Sequence, residues 1–209
     1  MRQILIDGLA ELGIGLTEKQ RHQLDVYQNE IMLWNGKYGL LASSVTQEEL
    51  DVKHFLDSLS AYSVLKNMRF NTACDVGSGG GFPGLVLAIL FPDKKFTLIE
   101  RSGKKAMFLT NTAVMMGASN VEVLNQDAAE IAARYDMVFF RALGQFVEYF
   151  PSLYRLAGSG GCLFAFKGRK SEIKKEISAL DKAIRDRVEI IETHVPFLKD
   201  ERNFVIIGK

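Results

Sequence analysis

The chain has 209 residues, 47% of them hydrophobic and 24% charged, with a formal net charge of +1. That length suits one sizeable domain, or one domain with a small appendage. The near-neutral balance excludes a globally basic protein, so affinity for nucleic acid would have to come from a local patch. Cys74 and Cys162 stand in apolar runs without metal-ligand spacing, which reads as buried, reduced thiols in a cytoplasmic protein with no metal site. Asp7 interrupts the apolar residues after Met1, so no secretory signal is read, and LVLAILF is too short to span a bilayer.

The first 65 or so residues read as helices. Thr17 and Gln20 form a capping box opening a helix with Leu24, Tyr27, Ile31 and Trp34 on one stripe. Thr46 and Glu49 form a second box, with Val45 and Leu50 spaced as its hydrophobic staple and Leu50, Phe55, Leu59 and Tyr62 along the helix. From about Asn71 the pattern becomes alternating strands and helices. TACDV is a strand, followed by a glycine-rich loop and a helix opened by Pro83. KFTLIE is the second strand, and GKKAMFLTNTAVMMG is a helix that buries Ala106, Leu109, Ala113 and Met116 and stops at Gly117. VEVL, YDMVFF and CLFAFK continue as buried strands. Helices are expected between them near Ala128–Ala133 and Phe146–Leu156, with a further one around Glu172–Ile184. This alternation implies a parallel sheet covered by helices on both faces. VEIIETHV and FVIIGK break it, because the PFLKDERN between them is too short for a parallel crossover, so this last pair should be antiparallel.

The loop DVGSGGGFPG, residues 75–84, fits two templates. Gly79, Gly81 and Gly84 spell the dinucleotide fingerprint, while Asp75, Gly77, Gly79 and Gly81 spell the D-x-G-x-G-x-G of an S-adenosylmethionine (SAM) site. Two features favour SAM. The antiparallel C-terminal pair suits a methyltransferase sheet, and Asp75 would repel a pyrophosphate held on loop amides, whereas SAM has no phosphate. Glu100, ending the second strand, is placed to bond ribose hydroxyls. Asp127, after the third strand, can meet an adenine edge or cap the next helix.

The acceptor is read from what is missing. Arg141 stands where amino-group methyltransferases carry Asn/Asp-Pro-Pro-aromatic, and neither cysteine lies in a loop from which it could attack a pyrimidine. His54 and Asp57 form the one evident histidine–carboxylate pair, and it reads more readily as a surface or interface contact than as a catalytic base. An acceptor that needs no deprotonation, such as guanine N7, tolerates this set. Cations at strand ends, namely Arg141, Lys167 and Arg202, would then hold guanine O6 or phosphate rather than N7 itself. Lys104–Lys105 and Arg169–Lys170 with Lys174–Lys175 are either helix solubility or a phosphate track.

LWNGKYGLLAS, HFLDSL, DVGSGGGFPG, LIERSGKK, FFRAL, FKG and ERNFVII together resemble the bacterial small-subunit ribosomal RNA guanine-N7 methyltransferases, the glucose-inhibited division protein B family. The resemblance runs from about Leu33 to Ile207. It departs from the family at Gly39-Leu40-Leu41, where many members have Asn-Leu-Thr, at NQDAAE, and at Gly80. It implies a Rossmann-like α/β sheet of seven strands, with a helical extension at residues 1–67 and a methyltransferase domain at 68–209. It implies methylation of one guanine N7 in the decoding-region loop of 16S rRNA; small-subunit particles are the expected partner and a monomer the expected state. By matching position, SAM would meet Asp75, Gly77, Gly79, Phe82, Glu100, Asp127, Ala128 and Arg141. His54, Lys104, Arg141, Lys167 and Arg202 would face the RNA or the transferring methyl. A small-molecule or protein methyltransferase, and a nucleic-acid-binding SAM sensor, are the alternatives.

Overall fold

The computed structural model describes residues 1–141 and 146–209. Its core is a seven-stranded sheet in the order β3-β2-β1-β4-β5-β7-β6. The strands are β1 (Thr72–Val76), β2 (Lys95–Ile99), β3 (Val121–Leu124), β4 (Tyr135–Arg141), β5 (Ala157–Lys167), β6 (Val188–Thr193) and β7 (Arg202–Gly208). β1 to β5 run parallel, and β7 inserts antiparallel between β5 and β6, with Cys162 opposite Gly208 and Thr193 opposite Arg202. The antiparallel end expected from the short PFLKDERN connection is therefore present.

The central strands are apolar on both faces because both are covered. Ala73, Phe96, Met137, Phe139, Phe164 and Phe204 enter one core, and Cys74, Ile99, Val138, Leu163, Val205 and Ile207 enter the other. The first core also takes Leu5, Leu24, Tyr27, Ile31 and Phe55 from the N-terminal segment, so the extension covers one face of the sheet. Helices α1 (Gln3–Glu11) and α2 (Glu18–Tyr38) belong to it. Both capping boxes form: the Thr17 and Thr46 side chains accept from the Gln20 and Glu49 amides, and Gln20 and Glu49 reach back to the cap amides. α2 also fastens two helices behind the sheet, α6 (Gly84–Leu90) and α7 (Gly103–Met115). Gln20 Nε2 donates to the Ile89 carbonyl (2.8 Å), and buried Gln23 to that of Met116 (3.2 Å), satisfying C-terminal groups the helices leave open.

Several expectations need correction. The helix after Thr46 is not uniform: α3 (Gln47–Leu50) passes into a π-helical turn, Asp51–Leu56, before α4 (Asp57–Leu59) and, separately, α5 (Tyr62–Leu65). Such widened turns concentrate at functional sites, and this one carries His54. The helix expected at Ala128–Ala133 shrinks to a 3₁₀ turn, Ala128–Glu130, because Arg155 takes the carbonyls of Ala128, Ala129 and Ile131 that a helix would need. The Glu172–Ile184 helix splits into α9 (Lys170–Ser178) and α10 (Lys182–Arg185), with Leu180 buried at the break and Asp181 extended. VEVL is an edge strand and only half-buried, and Cys162 is half-buried, unlike Cys74. α8 (Phe146–Leu156) forms where expected.

Candidate active site

The glycine loop leaves β1 at the carboxyl edge of the sheet, where ligands gather in this architecture. Gly77, Gly79 and Gly81 all have positive φ (72°, 56° and 99°), which only glycine adopts readily. Gly84 is required by space: an added Cβ would lie 2.4 Å from Leu98 Cδ2 and 2.7 Å from Asp75 Oδ2. Tyr27, buried on α2, pins the loop by donating to the Gly80 carbonyl (2.6 Å).

The loop amides decide between the two cofactor templates. Gly77 and Ser78 donate to the Ile99 carbonyl, Gly81 to that of Ser78, Gly84 to Asp75 Oδ2 (3.1 Å) and Gly79 to Glu100 Oε2 (2.9 Å). Five amides of the loop that a pyrophosphate could use are thus taken up inside the protein, two of them by carboxyl groups. Glu100 also accepts from Ser102 N through Oε1 (2.8 Å), so it clamps the loop to the end of β2 while keeping lone pairs free for hydroxyl donors. Asp75 is buried, and its Oδ1 has no hydrogen-bond partner. Burial raises its carboxyl from 3.8 to about 7, against the Gly84 and Ser78 hydrogen bonds and the Arg141 charge, with Glu100 adding to the rise.

Beside the loop lies an open cleft of about 180 Å³, walled by Val76, Gly77, Ile99, Glu100, Arg101, Gln126, Asp127, Ala128, Tyr149 and Ser152. Of the expected cofactor set, Gly77, Glu100, Asp127 and Ala128 line it. Asp127 is also the cap of the 3₁₀ turn, accepting from Ala129 N (2.9 Å), so both readings of that residue hold together. Phe82 turns elsewhere: it is buried against Tyr27, Phe55 and His54, on the extension side.

Arg141, at the end of β4, joins that second side. Its guanidinium lies 5.4 Å from the Phe82 ring centre and donates to the Lys53 carbonyl (3.1 Å) and Asp57 Oδ2 (3.1 Å), with His54 Nδ1 at 2.9 Å. Arg202, at the start of β7, donates through Nε to the other oxygen of Asp57 (3.0 Å). Because a guanidinium only donates, His54 Nδ1 is the acceptor and its proton sits on Nε2. Burial, then the Arg141 and Lys53 charges, lower the imidazole from 6.5 to about 3, so it is neutral. The His54–Asp57 pair, read as a surface or interface contact, lies at an interface: it forms a half-buried cluster with two arginines from the sheet.

Lys167, at the end of β5, pairs with Glu176 of α9 (2.6 Å). Lys104 is exposed on the first turn of α7. Lys170 pairs with Glu192 and Lys175 with Glu172, as a solvated helix face does. Ala142 and Leu143 of FFRAL lie outside the described residues. Sequence reasoning missed Tyr27 as the loop anchor, the joint role of Asp57, and Gln126, Tyr149 and Ser152 as cleft walls. Only Tyr27 left a signal, since a hydroxyl on a buried stripe must find a partner.

Residues 20–205 match the family model of rRNA small subunit methyltransferase G. The chain belongs to this family. It is 33% identical to "Ribosomal RNA small subunit methyltransferase G" of Borrelia hermsii over 201 residues, 96% of each chain. It is 34% identical to the Francisella tularensis protein of the same name, across all of this chain and 98% of that one. Among solved structures, SAM-bound magnesium protoporphyrin IX methyltransferase from Synechocystis superposes with a TM-score of 0.56 at 16% identity, covering 88% of this chain and 97% of that one. Ribosomal protein L11 methylase from Lactobacillus delbrueckii gives 0.58 at 15%, covering 78% and 80%. These distant likenesses carry the fold.

SAM is the cofactor, and the local chemistry fits it: five loop amides are taken up within the protein, two acidic side chains stand at strand ends, and apolar Val76, Ile99 and Ala128 form part of the cleft wall. Glu100→Gln puts an amide where Gly79 and Ser102 both donate, leaving one of them unpaired. Calorimetric titration should show SAM binding weakened about tenfold or more, with turnover at saturating SAM much less affected; unchanged affinity would deny Glu100 this part.

Proposed function

We propose that this protein transfers the methyl group of SAM to N7 of a guanine in 16S rRNA. The observation that carries the reading is the neutral His54, whose acceptor Nδ1 is already taken by Arg141: the cluster holds cations but no free basic atom. An amine or hydroxyl acceptor would need a base to remove its proton, whereas guanine N7 brings an exposed lone pair. When bound, SAM supplies an electrophilic methyl on a sulfonium. The chain's own part is to place and polarise the acceptor: Gly77, Glu100, Asp127 and Ala128 hold the cofactor side, while Arg141, Arg202 and the Nε2–H of His54 supply donors for guanine O6 or phosphate. Exposed Lys104 is a contact for the RNA backbone, and Lys167, at the end of β5, is a further cation for it.

The acceptor is rRNA in a small-subunit particle, met in the cytoplasm by a single copy of the chain. Both sides of the site are built from one chain, which supports the last point, and the methyl transfer requires no metal. Among the described residues no helix is long and apolar enough to cross a membrane.

The test uses SAM labelled in its methyl group, with small subunits from a strain lacking guanine-N7 activity beside fully modified subunits. Label should appear in 7-methylguanosine from the first alone. Absence of label in both, with SAM still bound, would overturn the assignment to rRNA.

A further inference from the structure

The N-terminal extension reaches the site through one buried carboxylate. Asp57 follows the π-helical turn, and its side chain is 5% exposed. Its two oxygens go to two different arginines, Oδ2 to Arg141 Nη1 (3.1 Å) and Oδ1 to Arg202 Nε (3.0 Å). Those arginines come from strands that are not neighbours, since β5 lies between β4 and β7. Without an anion between them, two guanidinium groups this close would repel and turn toward water. With it, and with His54 neutral, the cluster keeps one net positive charge. Arg141 is further fixed by the Lys53 carbonyl and His54, and Arg202 by the Glu201 carbonyl. Each arginine keeps donors for a ligand: Arg141 Nε and Arg202 Nη2 have no hydrogen bond among the described residues. A held cation pair of net charge +1 suits an oxygen-bearing, electron-rich group, a phosphodiester or a purine carbonyl.

We propose that Asp57 is a positioning residue, which yokes Arg141 to Arg202 and thereby makes the extension part of the acceptor site. It touches neither substrate nor cofactor, and acts through the two guanidinium groups. This rests on the proposed methyl transfer for its kinetic consequence, though not for the yoke itself.

The experiment therefore has two arms. In the kinetic arm, Asp57→Asn keeps the shape but loses the charge, and presents an amide donor to one arginine. kcat/KM for small-subunit particles should fall about tenfold or more, with SAM affinity within about twofold of wild type. In an Arg202→Ala background the same substitution should cost clearly less, because the yoke is already cut. Wild-type kinetics, equal losses in both backgrounds, or a parallel loss of SAM affinity would each overturn the proposal. Should Asp57→Asn not fold, Asp57→Glu keeps the charge and displaces the carboxylate by one methylene. It should lower kcat/KM severalfold with SAM binding intact, and full activity would overturn the proposal. The second arm needs no turnover: the Arg202 Nε–H, followed by NMR, should be protected from exchange in wild type and exchange freely once Asp57 is changed. An unprotected Nε–H in wild type would overturn the yoke. A protein that transfers no label yet shows this protection would overturn the proposed reaction and leave the yoke standing.

Discussion

Arg141→Ala should lower turnover on small-subunit particles by roughly 10²–10³-fold while SAM affinity changes by less than about threefold. The asymmetry follows from where the side chain goes. Arg141 ends β4 but is not in the cleft wall; it packs on Phe82 and is tied to Lys53, His54 and Asp57. Its removal takes a fixed cation from the acceptor side, leaves Asp57 with Arg202 alone, and strips His54 Nδ1 of its donor. Arg141→Lys should recover little, because an ammonium cannot hold the carboxylate, carbonyl and imidazole at once as the planar fork does. Single-turnover rates beside calorimetric SAM titration decide the matter. A comparable fall in both quantities would assign Arg141 to the cofactor, the other role that the family resemblance gives it.

Asp75→Asn should remove a pH dependence of stability worth about 4 kcal/mol, the linkage equivalent of a carboxyl raised from 3.8 to about 7. The sign follows from burial. Between these two pH values the folded chain keeps the proton on Asp75 while the unfolded chain has released it. This group's contribution is therefore complete below pH 4, declines as pH rises, and is lost above about pH 7. The cause is a carboxyl under the glycine loop with one oxygen on the Gly84 amide and the other unpartnered. Asparagine retains the acceptor for Gly84 and cannot ionise. Urea unfolding of both proteins at pH 5 and pH 8 should show the wild type losing stability relative to the variant at the higher pH. Parallel behaviour at both pH values would mean that Asp75 ionises in the fold at its ordinary pKa.

Much of the sheet was legible because its signals are local. TACDV, KFTLIE and YDMVFF are apolar runs of strand length bounded by turn residues, and the antiparallel end followed from counting eight residues between the last two strands. Both capping boxes were visible because Thr and Gln or Glu three apart act on their own backbone. The misses have the opposite character. The 3₁₀ turn at Ala128–Glu130 is truncated by Arg155, some 25 residues away in the chain, whose guanidinium claims its carbonyls. VEVL reads as a buried strand, yet nothing in its four residues says that it lies at the edge of the sheet.

The same division runs through the site. A D-x-G-x-G-x-G loop after a strand, an acid closing the next strand and an arginine where an amine-orienting motif would stand are short-range patterns, and the sequence by itself determined them. They limit the chain to a methyltransferase sheet and point to an acceptor that needs no base. Which loop amides remain free, however, depends on Glu100 reaching back over 21 positions to Gly79. The tautomer of His54 depends on a guanidinium 87 residues away, and the pairing of Arg141 with Arg202 depends on Asp57, 84 and 145 residues from them. Only the tertiary structure decided these, because a hydrogen bond between side chains leaves no periodicity in either segment that supplies it.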